Sequence, residues 1–190
     1  MYLAFDTETA GLPRDWAAPV TDVHNWPRIV QVAWLCCDEG GAEHASREYI
    51  IKPDGFVITR QASNVHGITT KRALAEGVDL EPVLMEFSEA VQAASTLVAH
   101  NVDFDAKVVG AELLRAGMTN VFAGKTLRCT MRESTDHCRL PGRRGYKWPT
   151  LTELHTILFG EEFEGAHGAL ADARASMRSF LKLRELRSIQ

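Results

Sequence analysis

The amino-acid sequence predicts an α/β fold, with a central mixed β-sheet flanked by α-helices. Three observations carry this. Three strand-like apolar segments come first, and helix-period segments then alternate with a further short strand, an order that suits a mixed sheet layered with helices. The 190 residues are 45% apolar and 8% aromatic, enough to build one core without disulfides. No repeat or composition shift divides the chain, so residues 1–190 read as a single domain.

Each element follows from its pattern. Tyr2-Leu3-Ala4-Phe5 is a short apolar run, read as a buried strand whose carboxyl end carries Asp6 and Glu8. Gly11-Leu12-Pro13, with Pro19, Asn25 and Pro27 beyond, reads as a loop. Ile29 to Cys37 is almost continuously apolar and is predicted as a central strand. A third strand is placed at Glu48 to Lys52, with Pro53-Asp54-Gly55 as its turn. From Thr69 the period becomes helical, with Leu80, Val83, Leu84, Phe87 and Val91 three and four apart. Thr96-Leu97-Val98-Ala99 is a short strand, and a helix from Asp105 is ended by Gly117. Thr150 to Phe159 is a helix between Pro149 and Gly160. The last helix starts near His167 and runs to the end, with Leu170, Ala173, Met177, Phe180, Leu181 and Leu186 as apolar positions.

Composition excludes several classes. No apolar run approaches the roughly 20 residues of a membrane span, and the carboxylate-interrupted N-terminus does not read as a signal peptide. Cys36, Cys37, Cys129 and Cys138 lack C-x-x-C spacing, so they read as reduced, mostly buried thiols of a cytoplasmic protein. The net charge of −4 argues against coating duplex DNA by charge alone. That charge is uneven. Lys125 to Lys147 holds seven basic and two acidic residues, a local +5 that leaves −9 elsewhere. Arg174, Arg178 and Lys182 add a basic stripe at i, i+4 spacing on the last helix.

The chemistry sits in the carboxylates. In Asp6-Thr7-Glu8 the two carboxylates are two apart on a strand and project from the same face. Carboxylates held close repel unless a cation lies between them, and oxygen-only ligands favour Mg²⁺ or Mn²⁺. The triplet alone is weak, but strand carboxyl ends are where open α/β sheets place their sites. His100-Asn101-Val102-Asp103-Phe104-Asp105 brings further carboxylates to a strand end, and His167-Gly168-Ala169-Leu170-Ala171-Asp172 opens the last helix. Both segments contain H-x-x-x-x-D, so spacing alone does not choose between His100 and His167; the glycine beside His167 favours the latter.

Taken in order, Phe5-Asp6-Thr7-Glu8-Thr9, His100-Asn101-x-x-Phe104-Asp105 and His167-x-x-x-x-Asp172 resemble the three motifs of the DEDDh 3′-5′ exonucleases. Val65-His66-Gly67-Ile68-Thr69 further resembles the branch containing the epsilon proofreading subunit of bacterial DNA polymerase III. The resemblance implies a ribonuclease H-like fold, two divalent metal ions (Mg²⁺ or Mn²⁺), nucleic-acid 3′ ends as substrate, and a DNA polymerase as a further partner. By position, Asp6, Glu8 and Asp172 would bind one metal, with Asp6 bridging to a second held by Asp105. Asp103 is the rival by proximity, but Asp105 directly follows the phenylalanine. His167 would be the general base, suited to the task because an unperturbed imidazole titrates near pH 6.5.

Substrate contacts are expected from the backbone at Ala10, Gly11 and Leu12, with Leu12 wedged against the last base, and from His66, Asn101, Phe104 and Lys147. Ala10 stands where many relatives carry threonine, which removes a hydroxyl. Trp16 and Trp26 in the Pro13–Pro27 loop either fold onto the domain or stack on bases. The expected activity is metal-dependent hydrolysis of single-stranded DNA or RNA 3′ ends, DNA favoured, to nucleoside 5′-monophosphates. The alternatives are an inactive nucleic-acid or polymerase-binding module of the same fold and a small-nucleotide metal phosphatase.

Overall fold

The structure is a computed structural model that describes residues 1–189. In chain order it contains β1 (Tyr2–Thr9), β2 (Ile29–Cys37), β3 (Glu43–Ile50), α1 (Arg60–His66), α2 (Thr70–Glu76) and α3 (Leu80–Ala93). There follow β4 (Thr96–Ala99), α4 (Val102–Arg115), β5 (Thr126–Cys129), α5 (Thr130–Glu133), α6 (Thr135–Cys138), α7 (Leu151–Phe159) and α8 (Ala169–Glu185). The strands form one mixed sheet in the order β3-β2-β1-β4-β5. The β1–β2 and β2–β3 pairs are antiparallel, and β1–β4 and β4–β5 are parallel.

β2 is an interior strand, as its apolar run predicts, and β1 beside it is the middle one of the five. β2 is buried at all nine positions because β1 and β3 flank it and both its faces are covered. Side chains alternate across β1 and sort its residues between two cores. Leu3 and Phe5 join Phe87 of α3 and Val109 and Leu113 of α4 on one face. Tyr2 and Ala4 face α8, packing with Ala173, Met177 and Phe180 on the other. α8 is thus an amphipathic helix laid along the centre of the sheet. No helix among the described residues is long and apolar enough to cross a membrane.

Several boundaries differ from expectation. The third strand is Glu43–Ile50 rather than Glu48–Lys52; it is an edge strand of mixed polarity, and pairing with β2 from Gln31↔Ile50 to Cys37↔Glu43 defines it. β5 and α1 went unpredicted: β5 has four residues whose strand character comes from pairing with β4, and α1 buries no residue. α4 begins at Val102 rather than Asp105, which puts Asp103 and Asp105 in its first turn. α8 stops at Glu185, with Leu186 exposed rather than in the core. α7 starts as expected, behind a capping box in which Thr150 and Glu153 bond each other's backbone.

Candidate active site

Strand parity delivers the first two carboxylates. Asp6 and Glu8 continue the Tyr2/Ala4 face of β1 beyond the core, toward the N-terminus of α8. Thr7, between them, points to the opposite face and meets α4. Its amide (3.0 Å) and hydroxyl (2.7 Å) both donate to Asp105 Oδ1, so the buried Asp105 carboxylate is fixed against the end of β1. Asn101 takes the left-handed conformation (φ 72°) that turns the chain from β4 into α4 and aims that first turn.

α8 is seated by residues far away in sequence. Gln31 of β2 accepts from the Ala169 amide (3.2 Å) and Glu48 of β3 from the Leu170 amide (3.2 Å), satisfying helix-end donors that Gly168 cannot cap with a side chain. His167 adopts a left-handed φ of 67°, and its amide donates to Asp172 Oδ1 at 3.2 Å. As a result, Glu8, His167 and Asp172 each bring a potential ligand atom within 4.8 Å of the others. His167, expected as a base, also lies at ligand distance from the two carboxylates.

Electrostatics ties Asp6 and Asp105 to this cluster. Burial, followed by the charges of Asp105, Asp172 and Glu8, pushes the Asp6 carboxyl well above the usual range. Glu8 is pushed up to about 8 by burial and then by Asp172 and Asp105. Asp105 rises to about 7 because burial outweighs the two Thr7 hydrogen bonds. Asp172 rises to about 6 through burial, opposed by the His167 amide and charge. Four acidic groups driven toward protonation by low dielectric and one another are a donor set that fits hard divalent cations.

His100 is excluded from this chemistry. Its Nε2 lies 3.0 Å from the Pro149 carbonyl and its Nδ1 3.0 Å from Thr130 Oγ1, and burial lowers its pKa to about 4. A carbonyl only accepts, so Nε2 carries the proton and the ring is a neutral strut joining β4 to the start of α7.

Beside Glu8 lies a cavity of about 390 Å³, lined by Thr7, Thr9, Gly11, Leu12, His66 and Phe104 among others. Four of the seven predicted substrate residues are gathered there. A Cβ at Gly11 would meet only Thr59, at 4.0 Å, so the space above it is open. His66 Nδ1 accepts from the Ile68 amide (3.1 Å), and Nε2 is buried with no hydrogen-bond partner among the described residues, while the nearby Thr9 carbonyl opposes the lowering of the ring's pKa by burial. The other three predicted residues do not line this cavity. Ala10 exchanges backbone bonds with Arg28 and Thr59 and packs with Ile58 and Ile68. Asn101 serves the turn, and Lys147 is ion-paired with Glu153 at the start of α7.

The basic stripe on α8 is neutralised locally: Arg174 pairs with Glu43, Arg178 with Glu161 and Lys182 with Glu185. In the basic segment, Arg128 and Arg132 pair with Glu133 and Asp103, while Arg143 and Arg144 stay exposed at a tight turn. Sequence reasoning missed Gln31 and Glu48, whose roles appear only once β2 and β3 lie beside α8.

No curated protein matches the chain by sequence. Among solved structures, exonuclease I of E. coli with a dA16 oligonucleotide superposes at a TM-score of 0.77 and 20% identity, covering 98% of this chain and 41% of that one. The zinc-bound form of the E. coli enzyme with single-stranded DNA gives 0.75 at 20%, covering 98% and 40%. A moderately thermophilic exonuclease I from Methylocaldum szegediense gives 0.73 at 22%, covering 97% and 40%. This chain spans about two fifths of the length of these relatives. The likeness shows the ribonuclease H-like fold. The family model described as exonuclease, that of ribonuclease T, matches residues 3–180. With the model spanning nearly all of a chain whose β1, α4 and α8 termini carry the three motifs in order, this protein belongs to the DEDDh-type exonuclease family.

Proposed function

We propose that residues 1–190 form a 3′-5′ exonuclease domain that hydrolyses single-stranded nucleic-acid ends, DNA favoured, to nucleoside 5′-monophosphates. The observation that carries this reading is the juxtaposition of the Glu8–His167–Asp172 cluster with a cavity lined by Glu8, Gly11, Leu12, His66 and Phe104. Asp6, Glu8 and Asp172 would hold one Mg²⁺ or Mn²⁺, and Asp105, with Asp6 as the bridge, a second. When bound, such a pair of ions lowers the pKa of a water and stabilises charge on the departing 3′ oxygen.

The chain's own residues supply the rest. The open backbone at Gly11 and the side chains of Leu12 and Phe104 receive the terminal nucleoside, in a volume suited to one small ligand. A ring nitrogen of His167 takes the proton from the attacking water; the water oxygen bonds to phosphorus as the bond to the 3′ oxygen breaks. The departing 3′ oxygen takes a proton from solvent, so the shortened strand leaves with a 3′-hydroxyl, and His167 returns its proton to solvent. The buried Nε2 of His66 offers the substrate one hydrogen-bonding atom in the cavity wall. Single-stranded DNA is the expected partner on the strength of the cavity and the exonuclease I likeness, which lends no support to a polymerase partner. The free cysteines fit a reducing cytoplasm.

The test is degradation of 5′-labelled single-stranded DNA, matched RNA and a duplex, with Mg²⁺, Mn²⁺ or a chelator. Stepwise shortening that a chelator removes is expected, and Asp6→Ala should lower it by about a thousandfold or more, because metal charge stabilisation is worth several kcal/mol. Binding without shortening would overturn the reading in favour of an inactive module. Release of phosphate from mononucleotides without cleavage of oligomers would favour the phosphatase.

A further inference from the structure

The loop between β1 and β2 is fixed at many points. Arg14 N donates to Asn25 O, Asn25 Oδ1 accepts from Asp15 N (2.7 Å), and Asn25 Nδ2 donates to Asp15 O (2.8 Å). Trp26 is buried with its indole N–H on Pro19 O (3.1 Å). Arg115 donates to the carbonyls of Val23 and Trp26 while its other guanidinium nitrogen pairs with buried Glu112 (3.1 Å), which also holds Arg28 (2.8 Å). Lys107 lies over the Trp26 ring and donates to the carbonyl of Trp16.

Of the two tryptophans, only Trp26 goes into the core. Trp16, on this same anchored loop, is 55% exposed, and its ring centroid lies 5.5 Å from that of Phe104. Phe104 lines the nucleoside cavity, as do the exposed Leu12 and Val65. The aromatic pair therefore extends the apolar wall of the cavity outward along the rim. A large ring on a rigid loop gives contact area without a further ordering cost.

We infer that Trp16, backed by Phe104, is a stacking platform for the base of the second nucleotide from the 3′ end of a single strand whose terminal nucleotide occupies the Leu12–Phe104 cavity. This rests on the exonuclease reading above. The occupant is a base because the surface is a flat aromatic face continuous with that cavity, and every base presents a π-face to it. Because Trp16 abuts Phe104 but does not itself line the cavity, it adds affinity for oligomers that a mononucleotide does not gain. It also selects unpaired ends, since a base held in a duplex stack is not free to lie on the ring.

Two measurements test this. The first compares KM for a thymidine oligomer and for the p-nitrophenyl ester of thymidine 5′-monophosphate, which offers only the terminal site. Trp16→Ala should raise the oligomer KM by about tenfold more than the ester KM, the scale of one base–aromatic stack, and Trp16→Phe should recover part of the difference. The second reads binding alone, in chelator, with 5′-labelled oligomers carrying one abasic nucleotide. In the wild type, an abasic second position should weaken binding about as much as Trp16→Ala does, and the two changes together should cost no more than either. Equal loss on both substrates, additive effects, or sensitivity at the third position instead would overturn the assignment. A wild type that binds oligomers through Trp16 but cleaves neither substrate would sink the exonuclease reading and leave the platform standing.

Discussion

Two histidines share one sequence spacing, and their surroundings differ sharply. His100 bonds Pro149 and Thr130 and is held neutral by burial, whereas His167 is exposed beside Glu8 and Asp172. His167→Ala is expected to lose about 10²- to 10⁴-fold in turnover, the usual worth of a positioned base, with Tm unchanged. His100→Ala leaves the Pro149 carbonyl without its ring partner and the Thr130 hydroxyl with only the Ala99 carbonyl (3.4 Å), and should lower stability by about 1–3 kcal/mol while keeping measurable cleavage. Thermal melts and steady-state rates on the two variants check both, and a reversed pattern would move the base to His100. At this scale the motifs could be read directly: Asp6, Glu8, Asp105 and Asp172 are named by neighbours within a few residues. Thr7 could not be singled out, because its bonds to Asp105 cross 98 positions of chain.

Among the elements, α8 does most to set the site. Its register on β1 is fixed by small side chains: Ala173 is fully buried against the strand, in the cluster holding Tyr2, Ala4 and Phe180. Ala173→Leu should cost about 1–3 kcal/mol by overpacking. Since Asp172 is its neighbour, the variant should also lose cleavage at temperatures where it remains folded. Melting curves with activity measured below the transition check this; full activity despite a lowered Tm would show that the helix shifts without disturbing Asp172. The long periodic helices and the apolar β2 were legible because burial on one or both faces imprints a pattern on the sequence. β3 was legible only over its last residues, and β5 and α1 not at all, since an edge strand of mixed polarity, a four-residue strand and an unburied helix carry little or no such imprint.

For the whole molecule, the carboxylate cluster couples stability to pH and metal. Folding raises Glu8 to about 8, Asp105 to about 7 and Asp172 to about 6, from the roughly 4 of an unfolded chain. A raised carboxyl pKa means the native state binds the proton more tightly. Its contribution is therefore fully present below about pH 4 and is lost as pH rises through the folded-state values. The metal-free protein should show a Tm that falls between pH 5 and pH 8, and Mn²⁺ or Mg²⁺ should restore more at pH 8 than at pH 5. Calorimetry with and without chelator reads this directly, and a metal effect independent of pH would count against the cluster as the binding site. Two divalent cations held as proposed would offset the net charge of −4 at this cluster, so that charge does not count against the proposed nucleic-acid substrate. By itself, the sequence determined the α/β class, the order of the three motifs and the carboxylates they carry, because each is written in local spacing. The tertiary structure alone decided which side chains cap α8 and which tryptophan stays at the rim. Those outcomes depend on packing between segments dozens of residues apart, and local spacing carries no record of it.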